Sequence, residues 1–167
     1  MAGIIVYQSR SGATETYARW LSEELGFESV PVGKVRGLDR YDPIVLGSCV
    51  RMYRPAMARW ILRRWPMLKT KNVVLFTVAG AAKEDGLRRE WVSKALGAAI
   101  ADALPHVPLN GRMDFSRLPA LDRALMKMAI RMTAKSNPGQ AEEMAKEYDN
   151  VRREDLAPLV ARVKAML

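Results

Sequence analysis

Apolar positions along this chain fall into two alternating patterns. Short unbroken runs ending at turn residues alternate with longer stretches whose apolar positions recur every three or four residues. Residues 3–8 are such a run and read as a strand buried on both faces. Residues 14–25 carry Tyr17, Ala18, Leu21 and Leu25 at helical spacing, and Gly26 stands where a helix C-cap is expected. Residues 28–32 are a second short strand. The turn signal Tyr41, Asp42, Pro43 precedes a buried-strand run over 44–47. Pro55 is placed for the first turn of a helix reaching Trp65, with Met57, Ala58, Ile61, Leu62 and Trp65 facing inward. Residues 72–79 form the clearest strand of all. A helix follows over 87–104, with Trp91, Ala95, Leu96 and Ile100 inward, then a less regular fifth strand over 109–115. Residues 121–132 are strongly helical, with their apolar residues spread so widely that some are expected in the core. Residues 136–140 read as a loop and 141–148 as a short acidic helix or irregular segment. A last helix spans 155–167, with Leu156, Leu159, Val160 and Val163 on one face and Pro158 in its first turn.

Strands alternating with helices predict an α/β fold with a parallel sheet. There is no internal repeat or linker-like tract, so residues 1–167 are expected to form one domain. With 49% hydrophobic and 27% charged residues, a disordered chain or coiled coil is excluded. One cysteine, Cys49, rules out an intrachain disulfide and fits a cytoplasmic location. One histidine, His106, with that cysteine is too few for a His/Cys zinc site. His106 itself, following Pro105, reads as a solvated turn residue. No apolar run is long enough for a transmembrane helix.

The sharpest chemical signal lies between the first strand and the first helix: Ser9, Arg10, Ser11, Gly12, Ala13, Thr14. The hydroxyls can donate to phosphate oxygens, and Gly12 lets backbone N–H groups converge. The helix N-terminus adds unpaired donors and positive dipole charge. The plain alternative is a Ser/Thr turn in which Ser11 or Thr14 caps the helix. Position favours a ligand, because open α/β sheets bind ligands at the carboxyl ends of strands. Neither a dinucleotide fingerprint nor a Walker motif is present.

The pattern Ser9-x-Ser11-Gly12-x-Thr14 resembles the phosphate loop of the flavodoxin family. Residues 41–48 resemble the family's third strand. Arg51 and residues 111–118 and 121–127 are similar to a narrower branch containing menaquinone-dependent protoporphyrinogen dehydrogenases. The resemblance implies a flavodoxin-like three-layer sandwich, its five-stranded parallel sheet ordered 2-1-3-4-5 with helices on both faces. It implies FMN held between three loops: residues 9–14; 48–54, with Ser48, Cys49, Val50, Arg51, Met52 and Tyr53; and 79–86, with Ala79, Gly80 and Ala81. It implies redox chemistry supplied by the cofactor rather than by catalytic side chains.

The third loop lacks the aromatic that such flavoproteins usually stack on the flavin. Met52 and Tyr53 are the candidates in the second, although Tyr53 reads equally as an ordinary half-exposed aromatic. Cys49 reads as a small residue beside a strand more readily than as a reactive thiol.

Charge is uneven. The net charge is +9, and residues 51–71 carry seven bases without one acid. A basic face suits an anionic partner: an acidic protein, a membrane surface or an acidic substrate. The helix at 121–132 combines apolar residues with cations and suits a membrane surface or a packed core. Specific nucleic-acid binding is disfavoured, since no recognition element accompanies the charge. An interaction module of this fold that no longer binds FMN is a third reading, and the hydroxyls of Ser9, Ser11 and Thr14 stand against it. Two functions lead. One is an FMN oxidoreductase oxidising protoporphyrinogen IX and passing electrons to menaquinone, with Arg51, Arg54 and Arg112 meeting substrate carboxylates at the cytoplasmic membrane face. The other is an FMN electron-transfer protein without an organic substrate, exchanging electrons with an acidic redox partner.

Overall fold

The computed structural model describes residues 2–80 and 85–167. In chain order the first half contains β1 (Ile4–Gln8), α1 (Ala13–Leu25), β2 (Glu28–Pro31), β3 (Ile44–Arg51), β4 (Arg54–Pro55), α2 (Ala58–Leu68) and β5 (Val73–Ala79). The second half contains α3 (Asp85–Leu96), α4 (Ala98–Ala103), β6 (His106–Asn110), β7 (Arg112–Met113), α5 (Ala120–Ser136), α6 (Pro138–Ala145), β8 (Tyr148–Asp149) and α7 (Ala157–Lys164).

The main sheet runs β2-β1-β3-β5-β6, with every neighbouring pair parallel. These five strands have the order expected, and β4 adds a short antiparallel hairpin to the end of β3. Side chains alternate across a strand, and both faces of this sheet are covered. Ile4, Val6, Leu46, Val73 and Leu75 meet Met57 and Ile61 before and within α2 and Val92 and Leu96 of α3. Ile5, Val45, Val74, Phe76 and Val78 meet Tyr17 and Leu21 of α1 and Leu159 and Val163 of α7. The chain winds in opposite directions from β1 and β3, so a crevice opens at their carboxyl ends.

Several local expectations are corrected. Strand β3 does not stop at Gly47 but continues through Arg51, because β5 pairs with it as far as Cys49 and β4 takes over at Val50. Most of the expected second loop is therefore a hairpin. Its two turn residues, Met52 and Tyr53, have φ of 50° and 62°. Paired left-handed residues match the twist of a tight hairpin, though glycine and asparagine usually supply them. Pro55 consequently belongs to β4, not to a helix. α2 starts at Ala58 and passes Trp65 to end at Leu68, with Pro66 inside it. Leu62, expected inward, is exposed.

The single helix expected over 87–104 breaks into α3 and α4 at Gly97, whose φ of 88° and ψ of 149° no helix contains. His106 is not a turn residue: it begins β6 opposite Leu75, and its Nε2 lies 2.7 Å from Thr77 Oγ1. The irregular fifth strand divides at Gly111 into β6 and β7, the latter pairing antiparallel with β8. The expected loop at 136–140 shrinks to Asn137, whose side chain accepts from the Gln140 N–H at 3.1 Å and caps α6. The largest correction concerns α5, in which no residue is buried. Leu121, Leu125, Met128 and Met132 are spaced four, three and four apart and form one exposed stripe.

Candidate cofactor site

A cavity of about 450 Å³ lies at the carboxyl end of the sheet. Its floor is built from three places that the topology brings together: the β1–α1 loop, the end of β3, and the end of β5 with the chain after β6.

The β1–α1 loop is shaped by Gly12, at φ 88° and ψ −10°, a conformation that side chains disfavour. The Gly12 N–H donates to Ser9 Oγ at 3.2 Å, closing the loop on itself. No side chain caps α1, so its first-turn N–H groups are left to the space at the helix end. Ser11, Ala13 and Thr14 line the cavity there. Thr14 is 1% exposed, and its Oγ1 is buried without a hydrogen-bond partner. An unmet buried hydroxyl costs about 1–3 kcal/mol, so its occurrence in a cavity wall calls for a ligand acceptor. Positive charge converges on the same place. Arg112 Nη2 reaches Thr16 Oγ1 at 3.4 Å, and Arg117 Nη1 lies 3.6 Å from where a Cβ on Gly12 would stand.

Cys49, Val50, Arg51 and Met52 carry the wall along β3 to the hairpin tip, and Val78, Ala79 and Gly80 supply the edge of β5. Burial pushes the Cys49 thiol up, against a smaller opposing pull from Arg10. The thiol therefore stays protonated near neutral pH and is a weak nucleophile. Buried Arg88 ties the ends of β5 and β6, donating to the carbonyls of Thr77 and Ala79 on the first and Leu109 on the second. Tyr148 stands against Gly80, where a Cβ would fall 1.4 Å from its hydroxyl oxygen. Burial raises the Tyr148 pKa, so the phenol is neutral at physiological pH.

The roof is α5. Asp122, Leu125, Met126, Met128, Ala129 and Met132 line the cavity from it, and Met113 and Leu118 extend this apolar side. Arg123 anchors the start of α5 by donating to the carbonyls of Phe115, Ser116 and Leu118 at 2.9, 3.3 and 3.1 Å. Asp122 bridges two floor arginines: Oδ2 lies 2.5 Å from Arg10 Nη1 and Oδ1 2.5 Å from Arg51 Nη2.

The structure thus gathers Arg10, Ser11, Ala13, Thr14, Cys49, Val50, Arg51, Met52, Ala79 and Gly80 around one cavity. Others expected there have different positions. Ser9 and Gly12 shape the loop rather than line the space. Ser48 is fully buried, its Oγ accepting from Met57 N–H at 3.1 Å, and so braces the start of α2. Tyr53, exposed at the hairpin tip, is not among the cavity-lining residues and meets the Trp91 ring at 5.3 Å between centroids. Arg54 is exposed on β4 and does not line the cavity, while Arg112 does, close to the start of α1. Ala81 lies outside the described residues. Sequence reasoning missed Asp122 as a bridge, Tyr148 as a wall and α5 as a roof. The signal available for α5 was its four-three-four stripe.

Residues 4–140 match the sequence profile of a family described as "Flavodoxin domain". No curated protein matches the chain. Three solved structures align with the chain at low identity. A flavodoxin from the domain Archaea matches at 16% identity and TM-score 0.40, over 61% of this chain and 99% of that one. The apo-form of the flavoprotein from Lactobacillus acidophilus NCFM matches at 17% and 0.41, over 65% and 90%. The Trp repressor binding protein from Bacillus subtilis matches at 16% and 0.43, over 88% and 99%.

Proposed function

Because the chain belongs to the flavodoxin domain family, which implies a flavin cofactor and a redox function, we propose that it is an FMN-dependent oxidoreductase whose organic substrate enters beneath α5. The observation that carries this reading is Thr14: a buried hydroxyl without a partner, at the N-terminus of α1, in a cavity wall. A phosphate group fits that cradle. The N–H groups of the first turn of α1 and the hydroxyls of Thr14 and Ser11 would hold it, with Arg112 and Arg117 supplying charge. Val50, Met52, Val78 and Ala79 offer an apolar border for the flavin ring. When bound, FMN supplies acceptance of hydrogen from an organic substrate and onward release of electrons.

The chain's own residues contribute binding and exclusion. Cys49, held as a neutral thiol, and Tyr148, held as a neutral phenol, put no charge into the wall. Leu125, Met126 and Ala129 keep water from the cavity roof. The finer reading is oxidation of protoporphyrinogen IX with menaquinone as acceptor, and it rests on the resemblance of residues 111–118 and 121–127. Of Arg51, Arg54 and Arg112, the first and last line the cavity, Arg51 paired with Asp122 and Arg112 at 3.9 Å from Asp149, whereas Arg54 lies outside it. On α5, Lys127, Arg131 and Lys135 are exposed on the helix whose Leu125, Met128 and Met132 line the cavity while staying partly exposed, an arrangement that supports docking at an anionic membrane surface.

A second reading, electron exchange with an acidic protein partner, draws on α2 and its hairpin. Arg54, Arg59, Arg63 and Arg64 are exposed there, and none forms an ion pair among the described residues.

Anaerobic turnover separates the readings. FMN-loaded protein is expected to oxidise protoporphyrinogen IX in the presence of a menaquinone analogue, with Gly12→Asp inactive through loss of cofactor. Bound FMN without porphyrinogen oxidation, together with a salt-sensitive complex with an acidic redox protein, selects the second reading. Absence of FMN binding contradicts both.

A further inference from the structure

We infer that Asp122 is a positioning residue that latches α5 over the cavity and sets how fast a ligand exchanges through it. The roof needs such a latch. No α5 residue is buried, so the helix is not held down by core packing as α1, α2 and α7 are. Elements with few buried apolar contacts open locally at low free energy. What ties the beginning of α5 to the floor is polar. Arg123 fixes it to the preceding segment, whereas Asp122 reaches both floor arginines, the one such bridge among the described residues.

The geometry makes the latch stronger than a surface ion pair. Oδ2 accepts a hydrogen bond from Arg10 Nη1, while Oδ1 is paired with Arg51 Nη2 by charge alone and makes no hydrogen bond among the described residues. The Asp122 side chain is 11% exposed against 35% for each arginine. Burial of one partner reduces the screening that makes exposed pairs weak. The two arginines come from different elements, Arg10 from the β1–α1 loop and Arg51 from the end of β3. The bridge therefore joins three parts of the cavity wall at one atom group. It also occupies two of the cations that line the cavity, so an anionic ligand reaching Arg10 or Arg51 competes with the roof for them. Closure and ligand entry are coupled through Asp122. This deepens the flavin reading but rests on it only for the choice of FMN as probe.

The test pairs a flavin-independent readout with a flavin-dependent one. Amide hydrogen exchange is measured on the purified wild-type chain, Asp122→Asn and Asp122→Glu. The α5 amides are expected to exchange about tenfold faster or more in the Asn variant, with α1 and β3 unchanged and Glu restoring part of the protection. In stopped-flow fluorescence, FMN is expected to associate and dissociate faster with Asp122→Asn, each by about tenfold. A merely damaged pocket would raise dissociation without raising association. Should Asp122→Asn disturb the fold, Arg51→Met cuts one arm of the same bridge, and α5 exchange is again expected to rise. Unchanged α5 exchange, or unchanged or slower FMN association in a variant that still binds it, overturns the latch. If FMN binds neither protein, the functional reading fails and the exchange result alone decides the latch.

Discussion

The floor and the roof of the cavity are built on opposite physical terms. The floor stands on the sheet: Leu46, Phe76 and Tyr17 beneath it are fully buried, and each floor segment is the end of a strand or the start of a helix packed on that sheet. The roof is a 17-residue helix without a buried side chain, fixed by arginine-to-carbonyl bonds at its start and one carboxylate bridge. The difference teaches where rigidity is needed. In the proposed reading a cofactor phosphate meets donors whose geometry must not move, and the β1–α1 loop that would supply them is backed by core packing. Access needs an element that opens at low free energy, and such an element is poor in buried apolar contacts.

The comparison can be broken by mutation, and stability offers the widest contrast. Phe76→Ala beneath the floor is expected to cost about 3–5 kcal/mol in denaturant unfolding, because the cavity it leaves lies in a fully packed layer. A loss under about 1 kcal/mol would show that the floor is no better supported than the roof. Thr14→Val keeps the shape of the buried side chain and removes its donor. It is expected to weaken FMN binding about tenfold, the worth of a hydrogen bond to a charged acceptor, while leaving thermal stability nearly unchanged.

A third test concerns pH. Burial pushes Tyr17 up to about 12, its hydroxyl donating to the Asn110 carbonyl at 2.7 Å. The folded state holds that proton more tightly than the unfolded chain, whose tyrosine titrates near 10. Its contribution is therefore complete below about pH 10 and lost as pH rises toward 12. Unfolding free energy is expected to decline over that interval in the wild type and to be flatter in Tyr17→Phe. The smallest effect belongs to the roof: Met132→Ala, at a 65% exposed position, is expected to change unfolding free energy by no more than about 0.5 kcal/mol.

Much of the floor was legible in the sequence because it follows from local rules. Unbroken apolar runs mark strands buried on two faces, and Ser9, Ser11, Gly12 and Thr14 stand where a strand hands over to a helix. What was not legible depends on partners distant in sequence. Met52 and Tyr53 take left-handed conformations that neither residue type signals, and only pairing of Val50 with Pro55 and Arg51 with Arg54 makes the hairpin. His106 reads as a turn residue until β5 recruits it through Leu75. Asp122 sits 112 residues from Arg10, so nothing local indicates that the two meet. The exposed stripe of α5 was visible as spacing, but whether a stripe faces a core or solvent is decided by where the helix is docked.

The central claim is that the β1–α1 loop is a phosphate cradle. Parallel titrations of the apoprotein with FMN and with riboflavin, which differ by that phosphate, test it most directly. The account predicts one-to-one FMN binding that is at least about 100-fold tighter than riboflavin binding, as expected for several charge-assisted hydrogen bonds at a helix N-terminus. Equal affinities for the two flavins would contradict it.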